Sequence, residues 1–383
     1  MLEPRVALAT VERINVNAIS VMEGVPETIS RSPEERKVEW SRLEQIGVKL
    51  DNDALTTEEK EELKDLLINN KDLFATDMSQ LVECSSLPPF ETHIKDQIPL
   101  RQRCYRQTPE AKAEIRRQID ALKKNGLVEP TQSLWNSPIL LVRKSNGSYR
   151  MCIDFRKLNQ VTFPQYQPLV SVTEVVDVFG ERKPKIFSTL HMFSCYHQVK
   201  MAEDSKKFTG FTTPDGEHLA FNRLCFGLYN APWHFMCAIQ GLFQHSINRY
   251  FQVYLDDVII FSPNVSQHLV ELRDTLHVLK TARFKLNPAK CAFAQAKVKY
   301  LGHWFSGEGY GMDPKIVEAV RNFKEIKNAR QAKSWLGLCG YYRKFCKGCA
   351  DIVAPIQKLT VQGVPFVWSS EAESAREVIV EKL

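Results

Sequence analysis

Two adjacent carboxylates, Asp256 and Asp257, stand inside an otherwise apolar, strand-forming run, VYLDDVIIF. Burying two carboxylates in such a run is costly unless positive charge neutralises them. A divalent cation does this, and a hard ion such as Mg²⁺ prefers carboxylate oxygens while keeping waters and substrate phosphates in its shell. At the tight turn of a hairpin, at least one of the two carboxylates would reach a pocket. The competing reading is a polar turn without chemistry, because Asp is a common turn residue. The dipeptide alone favours that second reading, so its surroundings must decide.

Elements able to position the pair are legible on both sides. The helix after it is expected from about Ser266 to Ala282, with Leu269, Leu272, Leu276 and Leu279 on one stripe. The best-signalled helix comes earlier: Thr108 can cap it, Pro109 fits its first position and Gly126 its stop, while Ile115, Ile119 and Leu122 recur at helical spacing. Its other face carries Arg116, Arg117, Lys123 and Lys124. Two strand-like runs follow, PILLVRK and YRMCIDF, separated by Ser145, Asn146, Gly147 and Ser148, where Asn-Gly signals a hairpin turn. IFSTLHMF is a further apolar run. Nearer the start, LTTEEKEELKDLLINNKDLF predicts one or two amphipathic helices, with Thr57 as N-cap and Leu63, Leu66, Leu67 and Phe74 apolar. SSLPPFETHIKDQIPL reads as a linker. Helices and short antiparallel strands alternate irregularly, which predicts an α+β fold rather than a doubly wound sheet.

Composition sets bounds on the partners. At 383 residues and 44% hydrophobic, the chain can bury a large core in two or three compact units. No apolar stretch approaches the roughly 18 residues that would span a bilayer, and the first residues lack the pattern of a secretory signal, so an intracellular, cytoplasmic protein without a membrane partner is expected. Ten scattered cysteines suit a reducing compartment. Cys346 and Cys349 have a zinc-like spacing, but no second pair follows, and both are read as ordinary core residues. The net charge of +6 is unevenly spread: residues 1–91 hold 10 Lys/Arg against 19 Asp/Glu, whereas residues 92–160 hold 14 against 6. A front segment that repels phosphate is joined to a body that attracts it.

What changes the odds for the Asp pair is the company it keeps. In order along residues 90–370 stand LRQRCYRQTPEAKAEIRRQIDALKKNGLVEPTQSLWNSPILLVRKSNGSYRMCIDFRKLN, FSTLHMFSCYHQV, FNRLCFGLYNAPWHF, YLDDVIIFS, KLNPAKCAF and YLGHWFSGEG. Together these resemble the reverse transcriptase of gypsy-type LTR retrotransposons. The resemblance implies a right-hand polymerase fold: residues 1–90 an acidic leader with short helices, 91–310 fingers and palm, and 311–383 a mostly helical thumb or connection, with the family's ribonuclease H domain expected to be absent. It implies an RNA template or a DNA template with a primer, deoxynucleoside triphosphates, and Mg²⁺ as cofactor, with Mn²⁺ possible.

Residue by residue, Asp256 and Asp257 match the catalytic, metal-holding palm carboxylates, the first more firmly. Arg150 matches the fingers arginine that grips the incoming triphosphate, and its forked guanidinium suits phosphate. Lys144 or Arg143 matches the accompanying basic residue, against the alternative of a solvated hairpin-tip charge. Tyr196 matches the aromatic gate that excludes a ribose 2′-hydroxyl, against an ordinary half-buried aromatic. Gly227, Asn230, Ala231 and Pro232 match the support of the nascent base pair, Leu301, Gly302 and His303 the primer grip, and WLGLCGYYRKF the start of the thumb; for these, plain packing is an equal alternative.

Several positions depart from the pattern. His191 stands where the family has a catalytic Asp, Cys195 where it has Gly, and Trp233, His234, Phe235 and Met236 where it has Ala-Thr-Phe-Gln. The first puts metal binding in question, and Met236 the template contact. The expectation is an impaired polymerase domain. Its alternatives are a non-catalytic nucleic-acid-binding remnant, or a fragment whose palm is overpacked by Trp233 and charged by His191.

Overall fold

The computed structural model describes residues 31–382 except 53, 54, 85, 97, 145, 146, 166–171, 342, 344 and 345. Residues 1–30 of the expected leader, the Ser145-Asn146 half of the hairpin turn and part of WLGLCGYYRKF lie outside the described residues. Contacts divide the chain into two compact units, one ending at Ala296 and one spanning Lys297–Leu383.

In the first unit the elements run α1 (Pro33–Gln45), α2 (Thr57–Asn69), α3 (Pro109–Lys124), β1 (Val128–Pro130), β2 (Ile139–Arg143), β3 (Tyr149–Ile153), α4 (Arg156–Val161) and α5 (Val172–Arg182). They continue with β4 (Ile186–His191), α6 (Glu203–Lys206), β5 (Phe211–Thr212), β6 (His218–Phe221), α7 (Ala231–Leu242), β7 (Phe251–Tyr254), β8 (Asp257–Ser262), α8 (Val265–Thr281) and β9 (Ala292–Gln295). Three antiparallel sheets result: β7-β8-β4-β9, β1-β6-β5, and the β2-β3 hairpin. This is the α+β arrangement expected.

The local signals act where they were read, with one correction. Thr108 accepts from the Ala111 N–H (3.2 Å), Pro109 opens α3, and Ile115, Ile119 and Leu122 are buried. For α2 the cap is Thr56 rather than Thr57: Thr56 Oγ1 accepts from the Glu59 N–H (3.2 Å), and the Thr56 N–H donates to Glu59 Oε2 (2.8 Å). Only Thr56 stands three residues before a Glu, which is the spacing a capping box needs. Residues 31–90 are not a separate leader, since Leu63, Leu66 and Leu67 of α2 share the core of Leu269, Leu272, Leu276 and Leu279 of α8. Fully burying each such leucine is worth about 1.5–3 kcal/mol.

Two imidazoles are also buried in this unit. His268 of α8 packs against β4 and β8, with Nε2 2.7 Å from Ser188 Oγ and Nδ1 2.8 Å from Ser262 Oγ. His197 has Nδ1 3.1 Å from the Leu224 carbonyl oxygen and its ring stacked on Phe221. Burial pushes the two down, His268 to about 3 and His197 to about 4.

The second unit holds the antiparallel sheet β10 (Lys297–Tyr300), β11 (His303–Ser306) and β12 (Gly309–Met312), then α9 (Pro314–Arg321), α10 (Ala329–Tyr341), α11 (Cys349–Lys358) and α12 (Ser370–Lys382). Trp335, Val320, Ile356 and Ile379 centre its core. The contact boundary therefore falls at Lys297 rather than at residue 311, because β10 to β12 group with the helices that follow them. Among the described residues, no helix is long and apolar enough to cross a membrane.

Candidate active site

The acid pair sits at a hairpin turn. β7 and β8 pair with Val253 opposite Val258 and Tyr254 opposite Asp257, leaving Leu255 and Asp256 as the turn. Leu255 takes φ +55°, a left-handed conformation that costs a bulky residue on the order of 1–3 kcal/mol. Two contacts hold the turn there: the Leu255 N–H donates to Met236 Sδ (2.9 Å), and the Met192 N–H donates to the Asp256 carbonyl oxygen (3.2 Å). Met236, expected at a template contact, thus supports the turn that carries Asp256.

β4 brings in the third residue. Its register on β8 places His191 opposite Asp257. Nε2 of His191 lies 3.2 Å from Asp256 Oδ2 and 3.9 Å from Asp257 Oδ1, and one donor atom from each residue falls within 4.8 Å of the others. Nδ1 lies 3.0 Å from the Met192 carbonyl oxygen, which can only accept, so Nδ1 carries a hydrogen and Nε2 faces the acids. The hydrogen bond with Asp256 raises the imidazole above its ordinary value and holds the Asp256 carboxyl below its own; burial, then the charge of Asp256, pushes Asp257 up.

The segment after α8 closes this corner. The Asn287 N–H donates to the His191 carbonyl oxygen (2.9 Å), and the His191 N–H donates to Cys291 Sγ (3.5 Å). Between them, Lys290 extends its Nζ to 3.4 Å from His191 Nε2. Asp256, His191 and Lys290 share a cavity of about 510 Å³ with Lys144, Arg150 and Phe226.

The geometry, an acid pair on a hairpin facing a basic hairpin across a cavity, agrees with what comparison finds. The profile of the reverse transcriptase (RNA-dependent DNA polymerase) family matches residues 142–305. The chain belongs to the reverse transcriptase family. The retrovirus-related Pol polyproteins of the Drosophila melanogaster transposons gypsy and opus are each 34% identical to it, over 309 and 275 residues. Those alignments cover 78% and 70% of this chain but 29% and 27% of the polyproteins, so the chain spans under a third of their length. Among solved structures, a foamy viral protease-reverse transcriptase in complex with double-stranded DNA is similar at a TM-score of 0.78 and 25% identity, covering 93% of this chain and 61% of that one. The same viral enzyme with an RNA/DNA hybrid gives a TM-score of 0.75, covering 93% and 46%. The fold is therefore the right-hand polymerase fold, and reverse transcriptases use divalent metal ions.

In this chain, His191, Asp256 and Asp257 come together, and Lys144 and Arg150 face them on the β2-β3 hairpin. Arg143 is paired with Tyr149 within that hairpin, whereas Lys144 begins its turn and lines the cavity. Tyr196 packs edge-on against Phe226 (4.9 Å) and Phe235 (5.9 Å), and burial raises its phenol. Gly227 has φ +96°, which glycine alone adopts at little cost, and its carbonyl accepts from Asn159 Nδ2 (2.8 Å). Pro232 lies in the first turn of α7. Gly302 belongs to the second unit, in the turn between β10 and β11. Trp233 is half-buried and its Nε1 has no hydrogen-bond partner among the described residues, whereas His234 Nε2 lies 3.0 Å from the Pro88 carbonyl oxygen.

Two residues of the cavity had drawn no role from the sequence. Phe226 lies under the Arg150 guanidinium (5.9 Å) and against Tyr196, and Lys290 reaches His191. Both stand inside family-like motifs, Phe226 directly before Gly227 and Lys290 in KLNPAKC, and that was their only signal. The basic face of α3 is partly neutralised: Arg116 is bidentate on Asp215, Arg117 on Glu114, and Lys123 pairs with Glu217.

The donor set decides which metal the site fits. One imidazole nitrogen and two carboxylates can hold one divalent ion. They do not fit the pair of Mg²⁺ ions that the family likeness suggests, because two hard cations need a carboxylate at residue 191 to bridge them and offset their charge.

Proposed function

We propose that this chain is the polymerase segment of a retrotransposon reverse transcriptase, built for template-directed DNA synthesis on a primed RNA or DNA strand and impaired at one metal-ligand position. The observation that supports this best is the shared cavity, with Asp256 and His191 on one side and Lys144 and Arg150 on the other. A divalent ion, Mg²⁺ in the intact pattern, supplies Lewis acidity toward the primer hydroxyl and the triphosphate when bound.

The chain's own side chains bind and orient. Arg150 and Lys144 take the triphosphate oxygens, the guanidinium as a fork and the ammonium as a point charge. Phe226 holds Arg150 from below and Tyr196 from the side, so that the phosphate clamp and the gate against a 2′-hydroxyl share one aromatic support. Gly227 and Pro232 shape the floor beneath the nascent base pair, and Gly302 serves the primer end.

The test of the clamp is Arg150→Ala in a background that polymerises. The apparent KM for nucleotide should rise about ten- to hundredfold, since one charge-assisted contact is worth about 1.5–3 kcal/mol. Duplex affinity should stay nearly unchanged. Equal losses of nucleotide use and duplex binding would mark Arg150 as a structural residue instead.

A second reading, a binding remnant without chemistry, is favoured by the His191 contact to Asp256. Both readings require duplex binding through backbone contacts, with little sequence preference. Affinity for a primer–template should fall about 10²-fold or more between 50 and 200 mM salt, as counterions are no longer released at a gain. A flat salt dependence in a filter-binding or anisotropy titration would remove both. Primer extension then separates them.

A further inference from the structure

We infer that His191, Asp256 and Asp257 form a single-ion site for a borderline divalent transition metal, selecting Mn²⁺, Co²⁺ or Zn²⁺ over Mg²⁺. The inference goes beyond polymerisation and rests on donor geometry alone. Metal bonds of about 2.0–2.2 Å set neighbouring donors roughly 3–3.5 Å apart. Nε2 stands 3.2 Å from Asp256 Oδ2 and 3.9 Å from Asp257 Oδ1, and one donor atom from each residue lies within 4.8 Å of the others, so closing on one ion asks a movement of about an ångström.

Orientation of the imidazole is the second observation. Its Nδ1–H donates to the Met192 carbonyl oxygen (3.0 Å), the kind of outer hydrogen bond that fixes a ligating histidine and leaves the other nitrogen for the metal. The backbone on which His191 sits is itself fixed, by register on β8 and by Asn287 and Cys291 on the other side. The nitrogen donor then decides the ion: a mixed imidazole and carboxylate set follows the rising affinity series toward Zn²⁺, whereas Mg²⁺ asks for oxygen. When an ion binds, the proton shared between Nε2 and Asp256 leaves to solvent, and the Lys290 ammonium, on an exposed and flexible stem, swings away.

Mn²⁺ is the probe, since the chain's ten cysteines compete for Zn²⁺ but little for Mn²⁺. The protein and its His191→Asp and His191→Ala variants, each checked for folding by circular dichroism, are titrated with Mn²⁺ under electron paramagnetic resonance, alone and against Mg²⁺. Expected are one bound Mn²⁺ per chain, nitrogen modulation of its signal that His191→Asp abolishes, and affinity at least tenfold weaker in His191→Ala. Mg²⁺ should displace Mn²⁺ more readily from His191→Asp than from the protein itself. A bound Mn²⁺ without nitrogen coupling, or equal affinity in His191→Ala, would reduce the His191–Asp256 contact to an ion pair only. Because no turnover is read, silent primer extension leaves these outcomes unaffected, and a failed metal titration leaves the polymerase reading to its own test.

Discussion

Replacing His191 with Asp should raise Mg²⁺-dependent primer extension by about 10²–10⁴-fold, more than any other single change. Metal clamping contributes several kcal/mol of transition-state stabilisation, and each roughly 1.4 kcal/mol is a factor of ten in rate. The contact between residue 191 and the acid pair is the reason this gain is expected. His191 Nε2 stands 3.2 Å from an oxygen of Asp256, so an aspartate at residue 191 would add a carboxylate and also release that oxygen. Within β4 the neighbours Leu190 and Thr189 offer no carboxylate, and Met192 is buried. The register that sets residue 191 opposite Asp257 would carry an aspartate to the same corner, where the Lys290 ammonium offsets part of the added charge. The measurement is extension by both proteins with Mg²⁺ and with Mn²⁺, after both are shown to fold and to bind duplex. Residual activity of the natural chain should favour Mn²⁺. Robust Mg²⁺-dependent extension by the natural chain would refute the lost-ligand account. Silence in both folded proteins would move the blame to Trp233 or Met236.

Acid should destabilise the first unit through two histidines far from that corner in chemistry. His197 and His268 are held neutral by burial, with folded values of about 4 and about 3 against an ordinary 6.5. Their folded values lie below the unfolded one, so between those values the unfolded chain binds more protons and stability falls as pH falls. At pH 5 each should subtract about 2 kcal/mol relative to pH 7.5. Around His197 the nearby Arg223 reinforces the neutral form, and at His268 burial is the cause, with Glu271 accepting from the Ser262 hydroxyl that His268 also meets. Urea unfolding at both pH values would read the loss, and His197→Gln should shrink it by about half. An unchanged pH slope in that variant would assign the acid sensitivity to other groups.

Much of the site could be read from the chain because its signals are local. The Asp256–Asp257 turn is flanked by strand-forming residues on both sides, and α3 announces itself through Thr108, Pro109 and Gly126 within one run of sequence. The ordered motifs led to the right family and the right fold for the same reason: each motif is a short run of neighbouring residues.

What the chain could not reveal is set by contacts between residues distant in sequence. The motifs placed His191 with the acid pair, but the pairing of β4 with β8 is what sets its Nε2 against Asp256, and the fold of residues 286–291 brings Lys290 to the imidazole. The basic face of α3 looked like free charge until Asp215 and Glu217, on the β5-β6 loop, came across to pair with it. Residues 297–312 form three strands, and only their contacts decide which core they join. Composition and periodicity determine what an element is; partner choice depends on the geometry of burial, and that is fixed only when the elements pack.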